Sequence, residues 1–333
     1  MKYISREFPN TRLRRIRMKS FSRKMVSENS LSSNDLIWPV FLSNGSKSRD
    51  EISSMPGVYR YSIDILLKEL DLLVEQGLNA VALFPTIKSE LKDERGSYAF
   101  EPKNFIFKAV RKIKKEYPKL GIICDVALDP YTNHGHDGII INGKVDNDKT
   151  LENLINQSLN LAEAGCDIVA PSDMMDGRVG VIRSSFENNG FNNVMIMSYA
   201  AKYSSSLYGP FRDAVNAGKL TEPRNKKSYQ MDYANSNEAM HEISMDIAEG
   251  ADMIMIKPGL PYLDIITKSK QLFSMPTFAY QVSGEYSMIM SASELNYINK
   301  EDAIFELMMC FKRAGADGVF TYFTPFLLSC LRN

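Results

Sequence analysis

The 333-residue chain is poor in cysteine: Cys124, Cys166, Cys310 and Cys330 are all it has, and no two stand at Cys-x-x-Cys spacing. A disulfide framework and a thiolate zinc knuckle are thereby excluded, and the four read as small core hydrophobes. It also lacks a charge excess, since Lys plus Arg and Asp plus Glu each number 40; nucleic acid and an anionic membrane are poor partners for such a body. No apolar run reaches the roughly 18 residues that span a bilayer, and the start has no apolar signal-peptide core. No GxGxxG follows a strand-like run, so a dinucleotide fold finds no fingerprint. The remaining composition, 44% hydrophobic and 24% charged, is ordinary for a globular enzyme, with the cytoplasm as its expected location.

The first stretch is short of acid. Lys2, Arg6, Arg12, Arg14, Arg15, Arg17, Lys19, Arg23 and Lys24 face only Glu7 before Glu28. With Pro9 and a broken apolar pattern, residues 1–34 read as an N-terminal arm and residues 35–333 as the catalytic domain. An organelle transit peptide has a similar Arg- and Ser-rich composition.

What the chain does have is a repeated half-unit. An apolar-periodic helix ends at glycine, a polar residue follows two positions on, and an apolar run begins: Gly77-Leu78-Asn79, Gly165-Cys166-Asp167, Gly250-Ala251-Asp252 and Gly315-Ala316-Asp317. Glycine there is the left-handed helix cap, and the run after it is a strand buried on both faces. The helices carry apolar stripes, Ile63-Leu66-Leu67-Leu70-Val74 before one joint and Leu151-Leu154-Ile155-Leu159-Ala162 before the next. Four further apolar runs, at 36–41, 121–124, 194–197 and 276–280, bring the strands to eight. Eight buried strands alternating with helices over about 300 residues predict a (β/α)8 barrel, whose chemistry gathers at the C-terminal strand ends.

Those ends hold Thr86, Asp125 and Asp129, Ser172 and Asp173, Lys202, Lys257, Ser283 and Tyr322. Lys257 closes the apolar run Met253-Ile254-Met255-Ile256 before Pro258-Gly259, and Lys202 follows Val194-Met195-Ile196-Met197 after the bridge Ser198 to Ala201. A lysine carried into apolar surroundings loses charge and becomes a nucleophile able to form a Schiff base, and two in one pocket would each depress the other's pKa. Either could instead be a solvated cap, but together they favour amine catalysis.

The segments Ala170-Pro171-Ser172-Asp173-Met174-Met175-Asp176-Gly177-Arg178, Tyr208-Gly209-Pro210-Phe211-Arg212-Asp213-Ala214, Met255-Ile256-Lys257-Pro258-Gly259 and Ala279-Tyr280-Gln281-Val282-Ser283-Gly284-Glu285-Tyr286 resemble the delta-aminolevulinic acid dehydratase, or porphobilinogen synthase, family over nearly the whole chain. The resemblance implies a lyase of heme and chlorophyll biosynthesis that condenses two 5-aminolevulinate molecules into porphobilinogen with loss of two waters. It implies that Lys257 holds the first substrate, with Ser283 and Tyr322 on its carboxylate. Lys202 would hold the second, with Arg212 and Lys226 on its carboxylate; Lys226 stands where some members have arginine. Asp125 would handle protons and orient the second lysine, and Ser172, Tyr208, Tyr280 and Gln230 would complete the substrate site. The basic stretch Ser204 to Tyr229, with Arg212, Lys219, Arg224, Lys226 and Lys227, suits a lid. An allosteric homo-octamer built from arm-exchanging dimers follows by resemblance alone.

Zinc-dependent members place three cysteines in the loop after the third strand, where this chain has Ala127, Asp129 and Asp137. A thiolate site is excluded, so no catalytic zinc is expected. Magnesium or potassium near Asp129 and Asp137, or no active-site metal, is the expectation there. Glu242 stands where magnesium-responsive members carry the ligand of an allosteric Mg2+, or else is a solvated acid spaced i,i+4 from Glu238. A hydrolase-type zinc site from His134, His136 and Asp137 lacks a third imidazole nearby. A class I aldolase needs only one lysine, and an inactive barrel would have no use for the full residue set.

Overall fold

The computed structural model describes residues 6–217, 220–221 and 223–331, so Lys2 of the arm and Lys219 of the lid lie outside the described residues. Eight parallel strands form a closed ring: β1 Leu36–Ser43, β2 Ala80–Thr86, β3 Gly121–Val126, β4 Ile168–Pro171, β5 Met195–Lys202, β6 Met253–Lys257, β7 Thr277–Tyr280 and β8 Gly318–Phe320. Closure comes from β8 pairing with both β7 and β1, where Ile37 lies beside Phe320. Helices alternate with the strands, which is the expected (β/α)8 barrel. The stripes fall as the periodicity predicts: Leu66 and Leu70 are buried in helix Ile63–Glu75, and Leu154 and Ala162 in helix Asn147–Glu163.

The half-unit has a physical explanation at the barrel's N-terminal end. Gly77, Gly165, Gly250 and Gly315 all have φ between 94° and 105°, the left-handed region that favours glycine. The aspartates two positions on then take up unpaired amides at the start of a neighbouring strand. Asp167 accepts from Ile122 N at 2.8 Å, Asp252 from Ile196 N at 2.7 Å and Asp317 from Thr277 N at 2.7 Å. Lys114, Arg183 and Lys270 pair with those carboxylates in turn.

Two short hairpins escape the periodicity because their strands are three residues long. Arg49–Glu51 pairs with Tyr59–Tyr61, and the latter adds to β1 with Phe41 beside Arg60. Ile139–Ile141 pairs with Lys144–Asp146 after β3. Before β1, the short 3-10 helix Leu13–Arg17 and α-helix Ser20–Met25 bury no residue, and Phe8, Leu13, Met18, Phe21 and Met25 are each more than 60% exposed.

Candidate active site

Strand β5 runs straight through the expected bridge Ser198 to Ala201 and ends on Lys202 itself. Against β6 it carries one extra residue, with Ile254 beside Ser198 and Ile256 beside Ala201; beyond this bulge Lys257 and Lys202 lie level on neighbouring strands. Both are buried, at 5% and 6% exposure. The two amines meet different surroundings.

Lys257 sits among rings. Its Nζ is 4.4 Å from the ring centre of Tyr280, 4.9 Å from Phe211, 5.0 Å from Tyr199 and 5.5 Å from Tyr208. No carboxylate among the described residues lies within ion-pair distance of it. Burial, and then the charge of Lys202, bring its pKa down to about 7. Asp125, at the end of β3, is raised to about 6 by burial, against the opposing pull of Lys257 and Lys202. Its Oδ1 is buried without a hydrogen-bond partner among the described residues.

Lys202 is instead held by bonds. Its Nζ donates to Asp137 Oδ1 at 3.1 Å and to the Ser172 carbonyl oxygen. The orienting contact expected of Asp125 is therefore made by Asp137. Lys226 Nζ lies 2.6 Å from Asp137 Oδ2 and 3.2 Å from Asp129 Oδ2, and Tyr229 donates to Asp137 at 2.9 Å. Burial works against both charges, yet the lysines hold Asp137 below the usual carboxylate range, and the two aspartates hold Lys226 above the usual lysine value. An ammonium thus occupies the place between Asp129 and Asp137 where a metal was considered. A cation there would have to displace Lys226, so the donor set does not fit one. No cluster of three or more His, Cys, Asp or Glu suited to a metal occurs among the described residues. His134 and His136 are engaged with the Glu94 and Pro223 carbonyls rather than converging with Asp137.

Of the remaining predicted residues, Tyr280, Tyr322, Tyr208 and Ser283 lie around Lys257 or against the segment over it. Tyr280 and Tyr322 share a 3.0 Å hydroxyl contact. Tyr208 donates to the carbonyls of Tyr203 at 2.8 Å and Lys257 at 3.2 Å. Ser283 accepts from Phe211 N at 2.9 Å, and Gly284 lets the lid backbone approach, for a Cβ there would meet Leu207 O at 2.5 Å. The short lid helix Gly209–Ala214 thereby lays Phe211 over Lys257, while Arg212 on the same helix is exposed. Gln230 is buried and lines, with Tyr229, Met175, Asp176, Glu238 and Glu242, a cavity of about 730 Å3 at the lid base. Neither Lys202 nor Lys257 lines the cavity that Glu242 lines, and burial raises the pKa of Glu242.

Tyr199, Phe211, Tyr229 and the bridging role of Asp137 were not legible beforehand. The bulge in β5 leaves no pattern in the sequence, and the lid's placement is a matter of tertiary contact.

Comparison with known proteins agrees with this architecture. The delta-aminolevulinic acid dehydratase family profile matches residues 10–330. The delta-aminolevulinic acid dehydratase of Bradyrhizobium diazoefficiens is 52% identical over 322 residues, covering 97% of this chain and 91% of the relative. That of Rhodobacter capsulatus is 47% identical over 325 residues, covering 98% of each. The crystal structure of the Toxoplasma gondii ME49 enzyme, in complex with its reaction product porphobilinogen, superposes with a TM-score of 0.94 at 42% identity, covering 96% of this chain and 91% of the other. With a closed barrel, two buried lysines level on adjoining strands and a match over nearly its full length, the chain belongs to the delta-aminolevulinic acid dehydratase family.

Proposed function

We propose that the chain is a porphobilinogen synthase, a lyase that condenses two 5-aminolevulinate molecules with loss of two waters, and that Lys257 and Lys202 form its Schiff bases. The observation that carries this reading is the pair of buried amines, level with each other, one of them brought to a pKa of about 7. Near neutral pH a large fraction of Lys257 is the free amine, which attacks the substrate ketone and expels water to give an imine. Imine formation acidifies the neighbouring carbon, so a carbon–carbon bond forms without a free carbanion. Asp125, raised to about 6 and with one oxygen unpartnered, is the group suited to move protons between the lysines.

Ser283 and Tyr322 are assigned to the carboxylate of the first substrate, and Arg212 and Lys226 to that of the second. Ser172, Tyr208, Tyr280 and Gln230 shape the pocket. Lys226 offers a point charge rather than a fork. Residues 1–34 are assigned as an arm that packs on a second copy in an octamer of arm-exchanging dimers, a role consistent with the exposed apolar Phe8, Leu13, Met18 and Phe21.

Measuring porphobilinogen formation from 5-aminolevulinate tests the activity, and its absence under all metal conditions would refute it. The pH dependence tests the assignment of Lys257. Below about 7 the neutral fraction of Lys257 changes roughly tenfold per pH unit, so the initial rate of borohydride-trapped adduct should climb with pH and level off above about 7. A flat profile from pH 5 to 8 would assign the nucleophile elsewhere.

Magnesium is assigned to Glu242 as a modulator. Burial raises this carboxylate's pKa, and Asp246, Asp176 and Glu238 add to the effect against the opposing Arg178. Glu242 shares the cavity wall with Asp176 and Glu238 as well as Lys144 and Lys227, and the space leaves room for a divalent ion that keeps most of its water and takes few protein ligands. Bound there, magnesium supplies charge neutralisation at the lid base and takes no part in the chemistry. Glu242→Ala should abolish magnesium stimulation, expected at about 5- to 150-fold, while leaving the metal-free rate intact. An unchanged response to magnesium in that variant would place the ion at another site.

A further inference from the structure

The lid helix Gly209–Ala214 is six residues long, too short to hold its shape unaided. The amides of Val215, Ala217 and Asn216 take up the carbonyls of Phe211, Arg212 and Asp213, which leaves the last one, Ala214 O, to donors from other elements. Arg60, on the hairpin strand Tyr59–Tyr61, donates from Nε to Ala214 O at 2.7 Å and from Nη2 to Asp213 O at 2.6 Å. Thr86 at the end of β2 donates to Ala214 O at 3.2 Å, and Lys92 to Asn216 O at 2.8 Å. The Asp213 side chain faces back to the same hairpin, accepting from Ser54 at 2.6 Å and lying 3.6 Å from the Arg60 guanidinium.

The hairpin is itself fixed to the barrel. Its strand adds to β1, Tyr286 donates to Pro56 O at 2.6 Å, and Ser287 donates to Ser54 O at 2.7 Å. Ile52 and Met55, in the loop between its strands, are fully buried. Arg60 is therefore a fork mounted on a rigid base, and it grips the C-terminal end of a helix whose N-terminal end is held by Ser283. A guanidinium at helix C-terminal carbonyls also has the favourable charge sense.

We propose that Arg60, with Asp213 as its partner, is a positioning residue that latches the lid helix closed, so that Phe211 covers Lys257 and Arg212 stands at the mouth of the site. This rests on the porphobilinogen synthase reading. Arg60 touches neither lysine, so it acts on the population of the closed lid and not on the chemical step. When the binding-competent state is only a fraction of the ensemble, apparent affinity falls by that fraction, while turnover of the saturated enzyme is little affected.

Arg60→Met should raise the KM for 5-aminolevulinate about 10- to 100-fold, the range expected for losing hydrogen bonds from a charged donor, with kcat within about threefold of the parent. Arg60→Lys, which keeps the charge without the fork, should fall between the two. Asp213→Asn, whose parent side chain is 47% exposed and which leaves the barrel intact, should raise KM by a smaller factor, about 3- to 10-fold, and secures the test if Arg60→Met does not fold. Hydrogen exchange of the full-length variants should quicken in amides 209–217 and not in β1 to β8. A KM and exchange pattern equal to the parent's, or a loss confined to kcat, would overturn the latch. A parent that makes no porphobilinogen would instead overturn the function, and the exchange measurement would still judge the latch.

Discussion

Lys257→Met should lose porphobilinogen synthesis by about ten-thousand-fold or more, because it removes the nucleophile itself. Borohydride added with 5-aminolevulinate reduces the parent's imine to a stable secondary amine, and peptide mapping should find most of the adduct on Lys257. Strong labelling of the Lys257→Met protein at some other lysine, with turnover retained, would disprove the assignment. The same variant should be more stable than the parent. Burial and the neighbouring Lys202 bring the native pKa to about 7, against an ordinary lysine value of 10.5, so between these values the unfolded chain binds more protons than the native one. Parent stability accordingly rises with pH across that window. Methionine removes the penalty and the pH dependence with it, so its advantage, on the order of a few kcal/mol at neutral pH, should shrink toward pH 10. Lys257 also opposes the raising of the Asp125 pKa, so in the variant that carboxylate should titrate above its present value of about 6.

This opposition of stability and activity also explains which features are legible in the sequence. A lysine closing Met253-Ile254-Met255-Ile256 breaks the apolar pattern of its own strand, and such a violation is visible in one dimension. The barrel was legible for a related reason. Each Gly-x-Asp joint performs the same two local tasks, a left-handed helix cap and a carboxylate for an amide at the start of a neighbouring strand, so the unit repeats in the sequence. The partnership of Lys202 with Asp137 leaves no such trace. Asp125 is nearer in the pattern, at the end of its own strand, whereas Asp137 reaches Lys202 only because the loop after β3 folds back across the site. Likewise Arg60 and Asp213 are 153 positions apart, and the three-residue strand carrying Arg60 is too short for periodicity to register.

Asp137→Ala should be the most damaging change to stability in the site. The carboxylate is fully buried between Lys202 at 3.1 Å and Lys226 at 2.6 Å, and both ammonium groups are themselves buried. Among the described residues, truncation leaves Lys202 without a carboxylate partner and Lys226 with Asp129 alone. Removing one partner from a buried ionic cluster costs about 3–5 kcal/mol, because the desolvation of the remaining charges is no longer offset. Denaturant unfolding of parent and variant measures this directly. Because the native carboxyl titrates below its ordinary value, its contribution is present above the unfolded pKa of roughly 3.9 and disappears as pH falls through the native one; the gap between the two proteins should therefore close in acid. The double variant Asp137→Ala, Lys226→Met should recover part of the loss, since it removes one of the charges whose pairing Asp137 completed, and a double-mutant cycle returns the coupling. Activity should not recover with it. Without Asp137, Lys202 keeps, among the described residues, the Ser172 carbonyl as its hydrogen-bond partner, and a displacement of about 1 Å from the reacting geometry costs on the order of 100-fold in rate. Trapping at Lys257 should persist meanwhile, because the aromatic surroundings that hold that amine do not include Asp137. Lys226→Met by itself removes a group assigned to the second substrate's carboxylate, so the double variant is compared with that single variant: equal rates would show that Asp137 serves only to neutralise Lys226, and a lower rate in the double variant with stability regained would separate its two tasks, neutralising one lysine and aiming the other.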